Sequence, residues 1–357
     1  MHATVVRYRG VEAMVASIED VARRAGVSIA TVSRALRGLP DVATATRDRV
    51  LAAAAELDYV ASPFAARLAS GRTTTVGLVV PFVNRWFFSE VIATVENALR
   101  RENFDLLLYN LGDPSGRDRF FDVMPMRKRV DGVIVASLVL DDAEFAALED
   151  LDLPVGLLGI ERRGTLSAGI DDIAAACDAV TYLTSLGHRR VGLIGGDTDD
   201  PMRFTPPLHR RTGYHRALAA VGVEPDPALE QLGFFTVEGG IEAAQRLLAV
   251  PEPPTALFAE SDEMAYGALR AIHDRGLRVP EDISVVGFDD QPFSDLMDLT
   301  TVRQPVAEQA LDITTRLLNL IADSDGGVAR DPSVTLPTEL VVRNSTRAPG
   351  DGPGGSA

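Results

Sequence analysis

The chain has 357 residues, 46% hydrophobic and 24% charged, with a formal net charge of −16. That length predicts two or three compact units, and no apolar run approaches the ~20 residues needed to span a bilayer, which excludes a membrane-embedded protein. A single cysteine, Cys177, excludes a disulfide framework and a multi-cysteine metal site, and the five histidines show no paired ligand spacing, so neither metal nor cofactor is expected.

Residues 1–16 carry Arg7, Arg9 and Glu12 and lack the apolar stretch of a secretory signal, so a cytoplasmic place is expected. Met14 leaves two readings of this segment: an unstructured extension, or a start further along. Charge is unevenly spread. Residues 17–72 hold eight arginines against six carboxylates, a net of +2, leaving −18 for the rest. A small basic module joined to a large acidic body fits one part meeting phosphate while the other repels it.

Ser17 with Asp20 three positions on makes a capping box, and Ile18, Val21, Ala22 and Ala25 fall on one face, which predicts a helix over 18–25. Gly26 can end it in the left-handed conformation, Val27 can plug the corner, and Ser28 can cap a second helix over 29–36. Val32 and Leu36 face inward there, leaving Ile29, Ala30, Ser33 and Arg34 outside near the helix start, where an arginine can reach guanine in a major groove. A third helix over 44–57 offers Val50, Leu51, Ala54 and Leu57 to a shared core.

The run Ile18 to Ser28 (IEDVARRAGVS), then Thr31 to Leu36 (TVSRAL), together with Thr46 to Val50, Leu57-Asp58-Tyr59 and Ser70 to Thr73, resembles the headpiece of the lac-repressor (LacI/GalR) family of transcription regulators. The resemblance extends over almost the whole chain. It implies a small all-α helix-turn-helix headpiece (residues 17–61), followed by an α/β periplasmic-binding-protein-like effector domain of two doubly wound lobes (residues 74–346). Ser28, Ile29, Ala30, Thr31, Ser33 and Arg34 are the DNA-binding positions it assigns, with Ile29 and Ala30 apolar where many members are polar. Ala43 stands where the family often has a capping Ser, and Thr44 is expected to cap instead. Residues 62–73 resemble the family's hinge helix, which wedges a leucine into the minor groove; Leu68 matches it.

From residue 75 onward short β-rich runs alternate with helical stretches: 76–81, 105–111, 132–137, 155–160, 191–196, 232–236, 256–261 and 285–290. This predicts parallel sheets with crossover helices, and a ligand between two lobes at the carboxyl ends of the strands. The resemblance assigns residues 74–171 and 301–323 to lobe one and 172–300 and 333–346 to lobe two, with three crossings. The tail, 347–357, has the composition of a disordered segment.

Phe82, Asn84, Arg85, Trp86 and Phe87 follow the first strand. Trp86 is either a stacking face for a ring or a core anchor. Asp171 ends the lobe-one portion. The resemblance further assigns Arg210 (with Arg211 next door leaving the register open), the aromatic Phe235, Ser261 where relatives usually carry Asn or Asp, and Asp289 to an effector site. A guanidinium and a carboxylate on opposite sides of a cleft suit vicinal hydroxyls, so a carbohydrate or nucleoside-like effector is expected. No phosphate-binding glycine loop, nucleophile elbow or other catalytic constellation is present, so no catalytic residue is named. The expected protein is a homodimeric regulator, most often a repressor in this family, reading a palindromic double-stranded operator. The alternative is a sugar- or nucleoside-binding protein or a Rossmann-like enzyme without DNA-linked regulation.

Overall fold

The computed structural model describes residues 16–36, 41–59, 72–323 and 332–350, and the chain divides into two compact units, 1–73 and 74–357. In the first, α1 (Ile18–Ala25), α2 (Ile29–Leu36) and α3 (Thr44–Glu56) surround Val21, Val32 and Val50, each fully buried. The sequence dictates the corners. Ser17 and Asp20 form the reciprocal capping box, and Gly26 takes φ 68° to end α1. Ser28 accepts the Thr31 N–H at 3.1 Å. Two expectations fail here: Ala43 is the N-cap of α3 with no side-chain cap bond, and Leu51 is exposed because Ala53 and Ala54 fill the inner face beside Val50.

The second unit is built from two parallel sheets. Lobe one contains β1 (Thr75–Val80), β2 (Asp105–Asn110), β3 (Gly132–Ala136), β4 (Val155–Leu158), β5 (Leu166–Gly169) and β11 (Ser333–Thr335), in the order β11-β5-β4-β3-β1-β2. Lobe two contains β6 (Val191–Gly195), β7 (Glu230–Leu232), β8 (Ala256–Ala259), β9 (Ser284–Asp289), β10 (Thr300–Arg303) and β12 (Glu339–Val341), in the order β12-β10-β9-β8-β6-β7. Only the β10–β12 pair is antiparallel among the described strands. The near-continuous apolar runs of β1, β3, β6, β8 and β9 reflect burial on both faces. In lobe one α4 (Trp86–Arg101) and α12 (Val306–Ala322) cover one face. On the other lie α5 (Pro114–Val123) and α6 (Asp142–Glu149). In lobe two α7 (Asp172–Ser185) and α8 (Pro206–Ala220) oppose α9 (Val237–Leu247) and α10 (Asp262–Asp274). Gly213 permits the α7–α8 contact: a Cβ there would lie 2.4 Å from the Ile173 carbonyl oxygen.

The chain passes between the lobes after β5, after β10 and after β11. Three crossings were expected, but the boundaries shift. Thr301–Arg303 belongs to lobe two, paired with Gly287–Asp289, and Ser333–Thr335 belongs to lobe one, paired with Ser167–Gly169. The three-residue β11 sits at a sheet edge and the four-residue β10 one strand in from an edge, and each takes its lobe from the neighbours that complete its ladder, a long-range fact absent from local pattern. The strand expected at 232–236 is Glu230–Leu232; Phe234 and Phe235 follow in left-handed conformations (φ 53° and 54°), and Thr236 caps α9. Arg347 is tied to lobe two, its carbonyl accepting from the Ser284 hydroxyl at 3.1 Å, so the described part of the tail is docked. Cys177 is a half-buried free thiol on α7. Among the described residues no helix is long and apolar enough to cross a membrane.

Candidate effector site and DNA-reading helix

On α2 the expected outer residues are displayed as anticipated: Ile29 is 46% exposed, Ala30 and Arg34 are exposed, and Thr31 and Ser33 are half-buried. Arg34 lies 3.7 Å from the exposed Asp41 carboxylate, a weak pair that leaves its guanidinium available. Leu68 and the residues 60–71 around it lie outside the described residues.

A cleft between the lobes, open to solvent, takes in about 400 Å³ of space not filled by protein atoms. Its lobe-one wall is Arg85, Phe87, Phe88 and Ser137; its lobe-two wall is Phe204, Pro206, Phe235 and Glu263, with Gln304 at the second crossing. Arg210 and Asp289 form its polar floor. Both come from lobe two, so the expected opposition of guanidinium and carboxylate across the cleft does not hold: α8 and the end of β9 place them 3.8 Å apart, each about 5% exposed. Arg210 donates Nε to Asp172 at 2.8 Å and Nη1 to the Glu260 carbonyl, while its guanidinium stacks 3.6 Å over the Phe288 ring. Burial alone would lower its pKa; Asp172 and Asp289 outweigh that and raise it. For Asp289 burial dominates, and its pKa lies well above the carboxylate range despite Arg210. Gln304 and Gln291 donate to its two oxygens. The result is a fixed cationic fork beside a buried carboxyl group, a set of donors and acceptors that fits adjacent hydroxyls. Strain concentrates here: Ser137 (φ 52°), Phe235 (φ 54°) and Asp289 (φ 118°) occupy left-handed backbone regions.

The remaining candidates separate. Arg211 pairs with Glu230 at 2.6 Å away from the cleft, so Arg210 faces the cavity. Phe235 lines it, edge-on to Phe204 with centroids 5.4 Å apart. Phe82 stands behind the wall, edge-on to Phe88 and under the Arg85 guanidinium at 4.5 Å. Trp86 packs its ring on the lobe-one core and does not line the cavity, which favours the anchor reading. Asp171 is the N-cap of α7, accepting the Ala174 N–H at 2.9 Å, and lines a separate cavity beside His209 and Thr335. Ser261 is the buried N-cap of α10; the longer polar arm comes from Glu263, two residues on. Phe204, Ser137, Glu263 and Gln304 escaped the sequence reading, and only the first-turn position of Glu263 and the crossing position of Gln304 before Pro305 could have signalled them.

A capped helix-turn-helix unit joined to a two-lobed body with a charged, aromatic-walled cleft defines the class of ligand-responsive DNA-binding regulators. Residues 17–62 match the model of bacterial regulatory proteins of the lacI family. Residues 180–346 match a periplasmic binding protein-like domain. The chain is 36% identical over 339 residues to the HTH-type transcriptional repressor CytR of Escherichia coli K12, covering 93% of this chain and 97% of that one. It is 33% identical over 336 residues to catabolite control protein A of Priestia megaterium, covering 93% and 99%. The lac repressor dimer bound to operator superposes with a TM-score of 0.82 at 28% identity, covering 94% of this chain and 100% of that one. The regulator CelR in complex with cellobiose gives 0.67 at 32%, covering 92% and 99%. The chain belongs to the LacI family, and it is a DNA-binding transcriptional regulator rather than an enzyme.

Proposed function

We propose that this regulator is a repressor that binds a palindromic operator as a homodimer and releases or tightens it when a carbohydrate occupies the cleft between the lobes. The observation that carries the reading is the buried Arg210–Asp289 pair on the floor of an aromatic-walled interlobe cavity. The fork and carboxyl suit adjacent hydroxyls, and phenyl edges and faces suit the C–H surface of a sugar ring. Ser28, Ile29, Ala30, Thr31, Ser33 and Arg34 read the operator, and Leu68 is assigned to the minor groove. Dimerisation is supported by Phe293, Leu296 and Met297, which stand 65%, 75% and 47% exposed on and just after α11 (Pro292–Leu296), an apolar surface that a second copy would cover. A cytoplasmic location is part of this proposal, supported by the DNA partner it requires.

The test is a thermal-shift screen of sugars and nucleosides with the full chain, paired with selection of duplexes from a random pool. A ligand binding only the native state raises its melting temperature. A sugar that stabilises wild type but not Asp289→Ala, with an inverted-repeat duplex recovered, supports the proposal. Stabilisation by nucleosides alone overturns the carbohydrate assignment, and recovery of no preferred duplex overturns the operator reading.

A further inference from the structure

The loop between β6 and α8 belongs to lobe two by sequence, yet its middle is built into lobe one. Met202 is 2% exposed and sits in the apolar cluster of lobe one with Phe120, Leu138 and Phe145. Phe204 packs against the other lobe-one cluster, its ring 6.1 Å from that of Phe88, and meets Phe235 at 5.4 Å. Polar contacts hold the backbone between them. The Val139 N–H donates to the Arg203 carbonyl at 3.2 Å. The Arg203 side chain reaches Asp141 at 2.9 Å and Glu144 at 3.4 Å.

The centre of this contact is Arg117 on α5, a guanidinium only 3% exposed. Its Nε and Nη2 hold Glu144 in a two-pronged pair at 2.8 Å each, Nη2 also donates to the Val139 carbonyl, and Nη1 donates across the lobes to the Met202 carbonyl. An arginine buried this deeply is retained at a desolvation cost, offset here because its Nε and both terminal nitrogens find acceptors. One of those acceptors is supplied by the opposite lobe. Arg203 takes φ 56°, a conformation costly for a side chain of this kind unless its surroundings fix it.

We infer that residues 197–205 form a strap clasped by Arg117, and that Arg117 is a positioning residue of the effector site: by gripping the Met202 carbonyl it sets Phe204 in the cavity wall and holds the lobes closed. Opening the cleft requires Met202 to leave the lobe-one core and the Arg117 bond to break. The inference rests on the cavity being the effector site, because only then does wall placement act on affinity.

The experiment compares wild-type full chain with Arg117→Met, Arg117→Lys and Met202→Ala. Chymotrypsin cleavage after Phe204, followed by mass spectrometry, reads strap release. Emission of Trp86, the single tryptophan, reads lobe separation, since its backbone N–H donates to Glu263 of lobe two at 3.3 Å. Cleavage on the order of tenfold faster in Arg117→Met and Met202→Ala, with a red-shifted emission and partial recovery in Arg117→Lys, is the expected result. Should Arg117→Met fail to fold, Arg117→Lys decides, because Met202→Ala keeps the carbonyl that Arg117 grips. Unchanged cleavage overturns the clasp, and so does faster cleavage with unmoved emission, which would describe a loose surface loop. Neither readout uses an effector, so a failed ligand screen would remove the effector reading while leaving the clasp measured on its own terms.

Discussion

Asp172→Asn removes one charge from the cluster beneath the cleft while keeping an oxygen in place. In the native protein Asp172 Oδ1 accepts from Arg210 Nε at 2.8 Å, with both side chains less than 10% exposed. Breaking a buried pair by removing one partner costs about 3–5 kcal/mol, because the other charge stays buried. Asp289 at 3.8 Å offers partial compensation, so the low end, about 3 kcal/mol, is expected. For a unit of this size that corresponds to a fall of roughly 5 °C in melting temperature. Urea unfolding followed by circular dichroism should show a lower midpoint with an unchanged slope. Asp274→Asn, which removes an exposed pair with Arg270 on one helix face, serves as the control and should leave the midpoint where it is. If Asp172→Asn moved the midpoint no more than the control, Arg210 would not depend on Asp172, and the cluster would not be the fixed floor described above.

Arg34→Ala should weaken specific duplex binding by roughly 1–3 kcal/mol and relax preference at one base pair per half-site, read by fluorescence anisotropy on variant duplexes; an equal loss on every sequence would make Arg34 a phosphate contact. Glu260, buried beneath Gly195 and Gly196, has its pKa pushed up to about 8 by burial. Its native form therefore holds a proton that the unfolded form loses, and stability falls as pH rises from about 5 to about 8. Glu260→Gln should abolish that slope, gaining on wild type by on the order of 1 kcal/mol per pH unit across the window and no further above it, measured by urea midpoints at several pH values; parallel curves would refute the assignment.

The parts of the molecule legible in its sequence are those governed by local rules. Ser17 with Asp20, Gly26 and Ser28 set the helix-turn-helix corners within a few residues of each other, and the first strand of each lobe is an apolar run that could be little else. The resemblance brought Arg210, Phe235 and Asp289 to one cleft. It could not show that Asp171 and Ser261 serve as helix caps, since a short polar residue before a helix reads alike in either role. Phe204 was hidden for a different reason. Its place follows from the loop crossing to the other lobe, which depends on Arg117, 87 positions earlier. The short strands 300–303 and 333–335 are likewise decided by partners far along the chain.

One small molecule in the cleft and one duplex on the headpiece share a coupling free energy. Isothermal titration of the stabilising sugar into the full chain, with and without saturating operator, measures it directly. Operator should change sugar affinity by the same factor by which sugar changes operator affinity, a ratio clearly different from one and returned to one by Asp289→Ala. Equal sugar affinities in the presence and absence of operator would contradict it.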